Sequence, residues 1–399
     1  MRTSLYAFAS DLADAGAASV LDDVQAAGVD GVTLAAAYHA ARDLFPHARG
    51  RRVRFLRGGD AAFVPDPALW GDARLVPHAA QGDVLGDLVR DAGARGMHVD
   101  GWTVFLHVDR ELDLPDGLAE ETAFGDPLPT QLCPANPEVR RYAVTLAREV
   151  ARRGVRAVVA ESLHHHGLQH GYHHERAFVA LPPSAWFLFG ICFCRFCRAA
   201  APDGDAVRDA AAAALDEALA ADDPGRDELP LDRAVAAALL DGALGRYLAA
   251  RESTVTSLVA EVAEACRQEG SELVFLDSSG AALGYATGRP QGPPAPETAW
   301  SFGVDLPAVA RAASAVGAIA YAADPDRVAT DLDAYAAAAG PAALEVVMRP
   351  TRPDCEDAAN LRAKLDACRA RDVRVAGLYH YGLVSRRALA RVGEALRPE

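Results

Sequence analysis

The stretch PEVRRYAVTLAREVARRGVRAVVAES, residues 137–162, holds two patterns in succession. A helical pattern over Pro137–Arg153 gives way to the short apolar run AVVA, which closes on a carboxylate, Glu161. A strand-length run bounded by a helix pattern is the signature of an α/β unit. The same alternation recurs along the chain. Strand-like runs are read at Ser4–Phe8, Val32–Ala36, His98–Phe105, Ala157–Glu161, Leu273–Asp277, Ala318–Ala322, Leu344–Met348 and Val375–Tyr379. Helical patterns intervene at Ala17–Ala27, Val84–Ala94, Pro137–Arg153, Tyr247–Glu269, Asp305–Ala315, Pro325–Ala339 and Ala359–Arg371. Strands joined through helices pair in parallel by right-handed crossovers. Eight such strands fit an α/β fold of the (β/α)8 TIM-barrel type. A doubly wound open sheet is the weaker alternative, because no glycine-rich phosphate loop follows the first strand.

The chain, residues 1–399, reads as a single barrel with two excursions. Residues 47–80 suggest a small hairpin after strand two, and residues 162–246 a long insertion after strand four. The content is 51% hydrophobic, and the net charge is -15. That charge argues against nucleic acid or an anionic membrane surface as partner. The N-terminus lacks a signal-peptide core, and no uncharged run reaches the roughly 18 residues of a membrane span. A cytoplasmic protein is expected. Seven cysteines, an odd number, argue against a disulfide framework.

Active sites of such barrels lie at the carboxyl ends of the strands. The groups expected there are Tyr38, His39 and Arg42 after strand two, Trp102 on strand three, and Glu161 on strand four. Asp277 ends strand five, Asp324 follows strand six, Arg349 follows strand seven, and Tyr379 and His380 close strand eight. Aromatic faces with hydrogen-bonding groups suit a sugar ring, and two carboxylates suit cleavage through an oxocarbenium-like transition state. Partial burial would raise the Glu161 pKa toward a general acid's range. Asp277, or Asp324, is the candidate second carboxylate. Asp324 in Asp-Pro-Asp also has the form of a helix cap. His164 is the best placed of six histidines between His164 and His174, a segment whose glycines favour a loop. The sharper metal signal is ICFCRFC, where Cys192, Cys194 and Cys197 read as a zinc corner, with reduced buried thiols or a redox pair at Cys194 and Cys197 as the alternatives. Cys133 is the candidate fourth ligand, and four cysteines make a closed, structural Zn2+ site.

Taken together, LCPANPEVRRY, a helix, a strand ending in Glu161 and then CFCRFC resemble the β-galactosidases of glycoside hydrolase family 42. The resemblance covers about residues 130–200. It implies Cys133, Cys192, Cys194 and Cys197 as zinc ligands and Glu161 as the acid/base. The family pattern has an asparagine where Ala160 precedes the glutamate. It also ends strand seven in a nucleophilic glutamate, where this chain reads ALEVVMRP, with Glu345 near the start and Arg349 at the end. The second and third domains of that family have no counterpart in the remaining length.

The resulting expectation is a hydrolase acting on a small carbohydrate or glycoside. Glu161 is the acid/base, with Asp277 or Asp324 opposite it. Tyr38, His39, Arg42, Trp102, His164, Arg349, Tyr379 and His380 bind the sugar. Two alternatives stand beside it: a metal-dependent hydrolase or isomerase using Glu161 and the 164–174 histidines, and a sugar-binding barrel without catalysis. Assembly as a homo-oligomer stays open.

Overall fold

The eight apolar runs form β1 (Arg2–Ala7), β2 (Gly31–Tyr38), β3 (His98–Val104), β4 (Ala157–Glu161), β5 (Glu272–Asp277), β6 (Ala315–Ile319), β7 (Ala343–Met348) and β8 (Val375–Leu378). The structure is a computed structural model that describes residues 1–109, 114–168, 176–225, 231–282 and 287–397. Each strand pairs in parallel with its sequence neighbour, and β1 pairs with both β2 and β8. Leu5 lies opposite Val32 on one side and Leu378 on the other, so the sheet closes into a (β/α)8 barrel. Pro at the first helical position and side-chain caps start several of the outer helices. Asn136 accepts from the Glu138 N–H ahead of Pro137–Ala151, and Asp305 accepts from the Ala308 N–H ahead of Leu306–Ala312.

Two boundaries differ from the sequence reading. β6 runs three residues earlier than expected, because residues 315–320, AVGAIA, are apolar throughout and carry no marker of register. A further amphipathic helix, Arg386–Leu396, follows β8. The hairpin after β2 pairs Ala41–Leu44 with Val53–Leu56, so it starts before residue 47. The chain after β4 forms helices Pro183–Phe189, Arg195–Ala200, Gly204–Ala221 and Arg233–Ala238. These bury their own apolar cluster around Leu188, Ile191, Phe193 and Tyr247, apart from the barrel core. Among the described residues, no helix is long and apolar enough to cross a membrane.

Side chains alternate between two destinations along each strand. Val158, Ala160, Leu273, Phe275, Val346 and Met348 join the layer between strands and helices. Ala157, Val159, Val274, Leu276 and Val347 pack in the lumen with Tyr6 and Trp102. Gly377 keeps the lumen open for Tyr6, since a Cβ there would lie 2.6 Å from that ring. At the amino ends of the strands the lumen is closed by charge. Arg156 donates to both oxygens of Asp100 at 2.8 Å and to Glu345 at 3.0 Å. Burial pushes the Asp100 carboxyl up to about 6, while Arg156 opposes that rise. Glu345 also accepts from Arg374 at 2.7 Å, so this strand-seven carboxylate belongs to the barrel floor.

Removing one partner from a buried ion cluster strands the others in a poor solvent. Arg156→Ala is therefore expected to cost about 3 kcal/mol in urea unfolding. Arg374→Ala, on the half-exposed edge of the cluster, should cost about 1 kcal/mol or less. Equal losses would contradict this account of the floor.

Candidate active site

Glu161 is the last residue of β4 and shares the inward parity of Ala157 and Val159. It is half-buried on the wall of a cavity of about 760 Å³ at the carboxyl ends of the strands. The Trp102 indole N–H donates to its Oε2 at 2.6 Å. Burial raises the Glu161 pKa, against the lowering influence of that indole bond and of nearby His107. Ser162 follows at φ 57°, a left-handed turn that takes the chain sharply off the strand.

The rest of the wall is largely aromatic. Tyr6, Tyr38, Trp102, Tyr321 and Tyr379 come from the strand ends, and Trp186 and Phe187 from the insertion. Trp102 meets Tyr38 edge-on at 4.5 Å and Tyr6 at 5.2 Å, so the indole that holds Glu161 is itself held by rings. Arg349 lies over the Tyr321 ring at 4.2 Å and donates to Asp354 at 2.9 Å. Tyr6, Trp186 and Phe187 were missed by reading strand ends alone. Tyr6 sits one turn of the pleat inside β1, and the two insertion aromatics were visible only as the run SAWFLFG.

Of the residues expected at the site, Tyr38, Trp102, Glu161, His164, Arg349 and Tyr379 line this cavity. Five others lie elsewhere. Asp277 is fully buried with the outward parity of Phe275. Its Oδ1 accepts from the Ser279 hydroxyl at 2.6 Å and its Oδ2 from the Tyr335 hydroxyl at 2.7 Å. Asp324 caps the helix Pro325–Ala339, accepting from the Asp326 N–H at 2.9 Å. Arg42 is exposed on the hairpin. His380 is buried behind Phe8, its Nδ1 accepting from the Gly382 N–H at 3.1 Å, and burial pushes its pKa down to about 3. His39 stacks on Tyr38 at 4.1 Å, just outside the wall. Of the histidine segment, His164 and His166 line the cavity, and His165 Nδ1 lies against Glu120. His170, His173 and His174 lie outside the described residues.

Among the described residues, two groups of side chains offer metal donors: Cys133, Cys192, Cys194 and Cys197, and, at the rim, His39, His107 and Asp109. The four sulfurs all lie within 4.8 Å of one another, and Cys133 Sγ is 3.4 Å from those of Cys194 and Cys197. A disulfide requires about 2.05 Å. Thiolates about 2.3 Å from a tetrahedral zinc sit about 3.8 Å apart. The four free, buried cysteines are thus spaced as a tetrathiolate site. The Tyr247 hydroxyl steadies the turn by donating to the Cys192 carbonyl at 2.7 Å.

No family model and no curated protein matches the sequence. Solved structures do match its fold. A β-galactosidase from the psychrophilic Marinomonas ef1 superposes with a TM-score of 0.58 at 10% identity, over 98% of this chain and 58% of that one. α-L-Fucosidase isoenzyme 2 from Paenibacillus thiaminolyticus gives 0.52 at 13% identity, over 99% and 49%. The catalytic domain of β-amylase from Paenibacillus polymyxa gives 0.55 at 12%, over 99% and 97%. The chain therefore spans about half the length of the first two structures. At these identities the likeness is one of fold.

The indole bond makes a direct test of the electrostatics. Trp102→Phe removes a donor to the charged carboxylate, an interaction of about 1.5–3 kcal/mol. The Glu161 pKa should then rise by about one to two pH units, read by infrared or carbon NMR titration. An unchanged or lowered pKa would contradict the arrangement.

Proposed function

We propose that this chain is a carbohydrate-active (β/α)8 hydrolase in which Glu161 is the general acid that protonates the leaving glycosidic oxygen. The observation that carries the reading is Glu161 itself: a carboxyl with a raised pKa, braced by an indole N–H, on the wall of an aromatic cavity of about 760 Å³. A raised pKa favours the protonated carboxyl that a general acid needs, and aromatic faces bind the apolar faces of a pyranose. The cavity is large enough for one or two sugar rings. Similarity of fold to structures named β-galactosidase, α-L-fucosidase and β-amylase supports the same class. Tyr38, Trp102, His164, Arg349 and Tyr379 contact the sugar in this reading. The second carboxylate stays unassigned in it: both oxygens of Asp277 are engaged by Ser279 and Tyr335, and Asp324 holds a helix end. Kinship with glycoside hydrolase family 42 would add a structural zinc on Cys133, Cys192, Cys194 and Cys197. Such a metal is closed to substrate and serves only to staple the insertion to the barrel.

A second reading, a sugar-binding barrel without hydrolysis, draws on one observation. Among the described residues, Glu161 is the single carboxylate lining the cavity.

One substitution separates the two. Glu161→Gln should lower turnover of an unactivated glycoside at least about 100-fold while leaving the circular dichroism spectrum unchanged. Turnover near that of the native chain on a genuine substrate would remove Glu161 from the acid's role. Unchanged sugar binding with no hydrolysis of any glycoside by either protein would favour the second reading.

A further inference from the structure

His107 follows β3 and is fixed by an antiparallel bridge to Gln131, with its side chain 4% exposed. Two residues on, Asp109 adopts φ 42°, a left-handed conformation that few side chains other than Asp and Asn accept. The backbone there is clamped from the far side by Gly58, where a Cβ would meet the Val108 and Asp109 carbonyls at 2.3 and 2.4 Å. The conformation aims the Asp109 carboxylate at two elements. Its Oδ1 lies 2.9 Å from Nε2 of His107, and its Oδ2 accepts from the Ala40 N–H at 3.0 Å. That second bond pins the turn carrying His39, whose Nδ1 donates to the Ala40 carbonyl at 2.8 Å and lies 3.8 Å from Oδ2. One donor atom from each of the three side chains falls within 4.8 Å of the others.

From this geometry we infer that His39, His107 and Asp109 form a second metal site, for a divalent transition cation, on the rim of the cavity. Ligand atoms about 2.1 Å from a metal sit roughly 3.0–3.4 Å apart at right-angled or tetrahedral spacing. His107 Nε2 and Asp109 Oδ1, 2.9 Å apart, sit at the short end of that range, and His39, whose Nδ1 faces the Ala40 carbonyl oxygen at 2.8 Å, would ligate through Nε2. Two imidazoles and one carboxylate suit zinc, cobalt, nickel, iron or manganese, whereas calcium and magnesium prefer oxygen alone. Three protein ligands leave a coordination position open. The site borders the cavity on two sides. His39 stacks on Tyr38, and His107 meets the edge of His166 at 5.6 Å, and both of those neighbours line the wall. An ion held here offers a substrate oxygen a Lewis-acidic anchor close to Glu161. The inference stands on the three donors and is independent of whether Glu161 cleaves a glycoside.

The test is a cobalt(II) titration of the full chain after chelator treatment. Two equivalents should bind, one with thiolate-to-cobalt charge-transfer absorption from the cysteines and one without. Asp109→Asn keeps the left-handed backbone, and His107→Gln keeps polarity and bulk. Each should weaken the second equivalent at least about 100-fold while the charge-transfer band and circular dichroism persist. Cys194→Ser should abolish the band and spare the second equivalent. A native chain that binds only the thiolate equivalent would overturn the site. So would a second equivalent that binds both variants with undiminished affinity, and Asp109 would then be a loop anchor alone.

Discussion

In a closed barrel of eight parallel strands, every side chain either enters the lumen or meets the helix layer, and a shift of one residue exchanges the two. That two-residue period sorts the strand-end groups of this chain. Glu161 shares parity with Ala157 and Val159 and faces the lumen, whereas Asp277 shares parity with Leu273 and Phe275 and is engaged by Tyr335 from the helix layer. The two carboxylates end their strands in the same way and yet occupy opposite faces of the sheet. The same rule brings Arg349 onto the cavity wall and places Glu345, four residues earlier, in the ion cluster at the floor.

Those two ends of the lumen are chemically unlike. At the floor, Arg156 and Arg374 balance Asp100 and Glu345, so charge is retained there by pairing. At the mouth, rings surround Glu161, and the hydrogen bond that holds its carboxylate comes from the neutral indole of Trp102. A neutral donor stabilises the anion less than a guanidinium does. Burial therefore dominates and raises the Glu161 pKa. The insertion contributes Trp186 and Phe187 to the same wall. Its own core is gathered around Cys192, Cys194 and Cys197, so the shape of the cavity depends on a subassembly that packs separately from the barrel.

Much of this was legible in the residues. The eight apolar runs, the helices between them and the cysteine cluster could be read because each leaves a local pattern: a strand length, a helical period, a ligand spacing. Glu161 could be read because AVVA marks both the strand and its end. What could not be read depends on parity and partners. LVFLD looks like AVVAE until the register of β5 is known, and the Tyr335 hydroxyl that takes up Asp277 lies 58 positions away in sequence. His39 and His107 belong to different strand ends, and only the fold of the loop carrying Asp109 brings them together. The apolar continuity of residues 315–320 hid the start of β6 for the same reason, since a run without polar residues has no phase.

In the reading we propose, the cavity around Glu161 is built for a sugar on its way to an oxocarbenium ion. Calorimetric binding of a panel of iminosugars, whose protonated nitrogen mimics that charge, tests it most directly. At least one configuration should bind to saturation in the native chain and lose about tenfold or more in affinity, some 1.4 kcal/mol, in Glu161→Gln. Absence of binding across the panel, or equal affinity in the two proteins, would contradict the account.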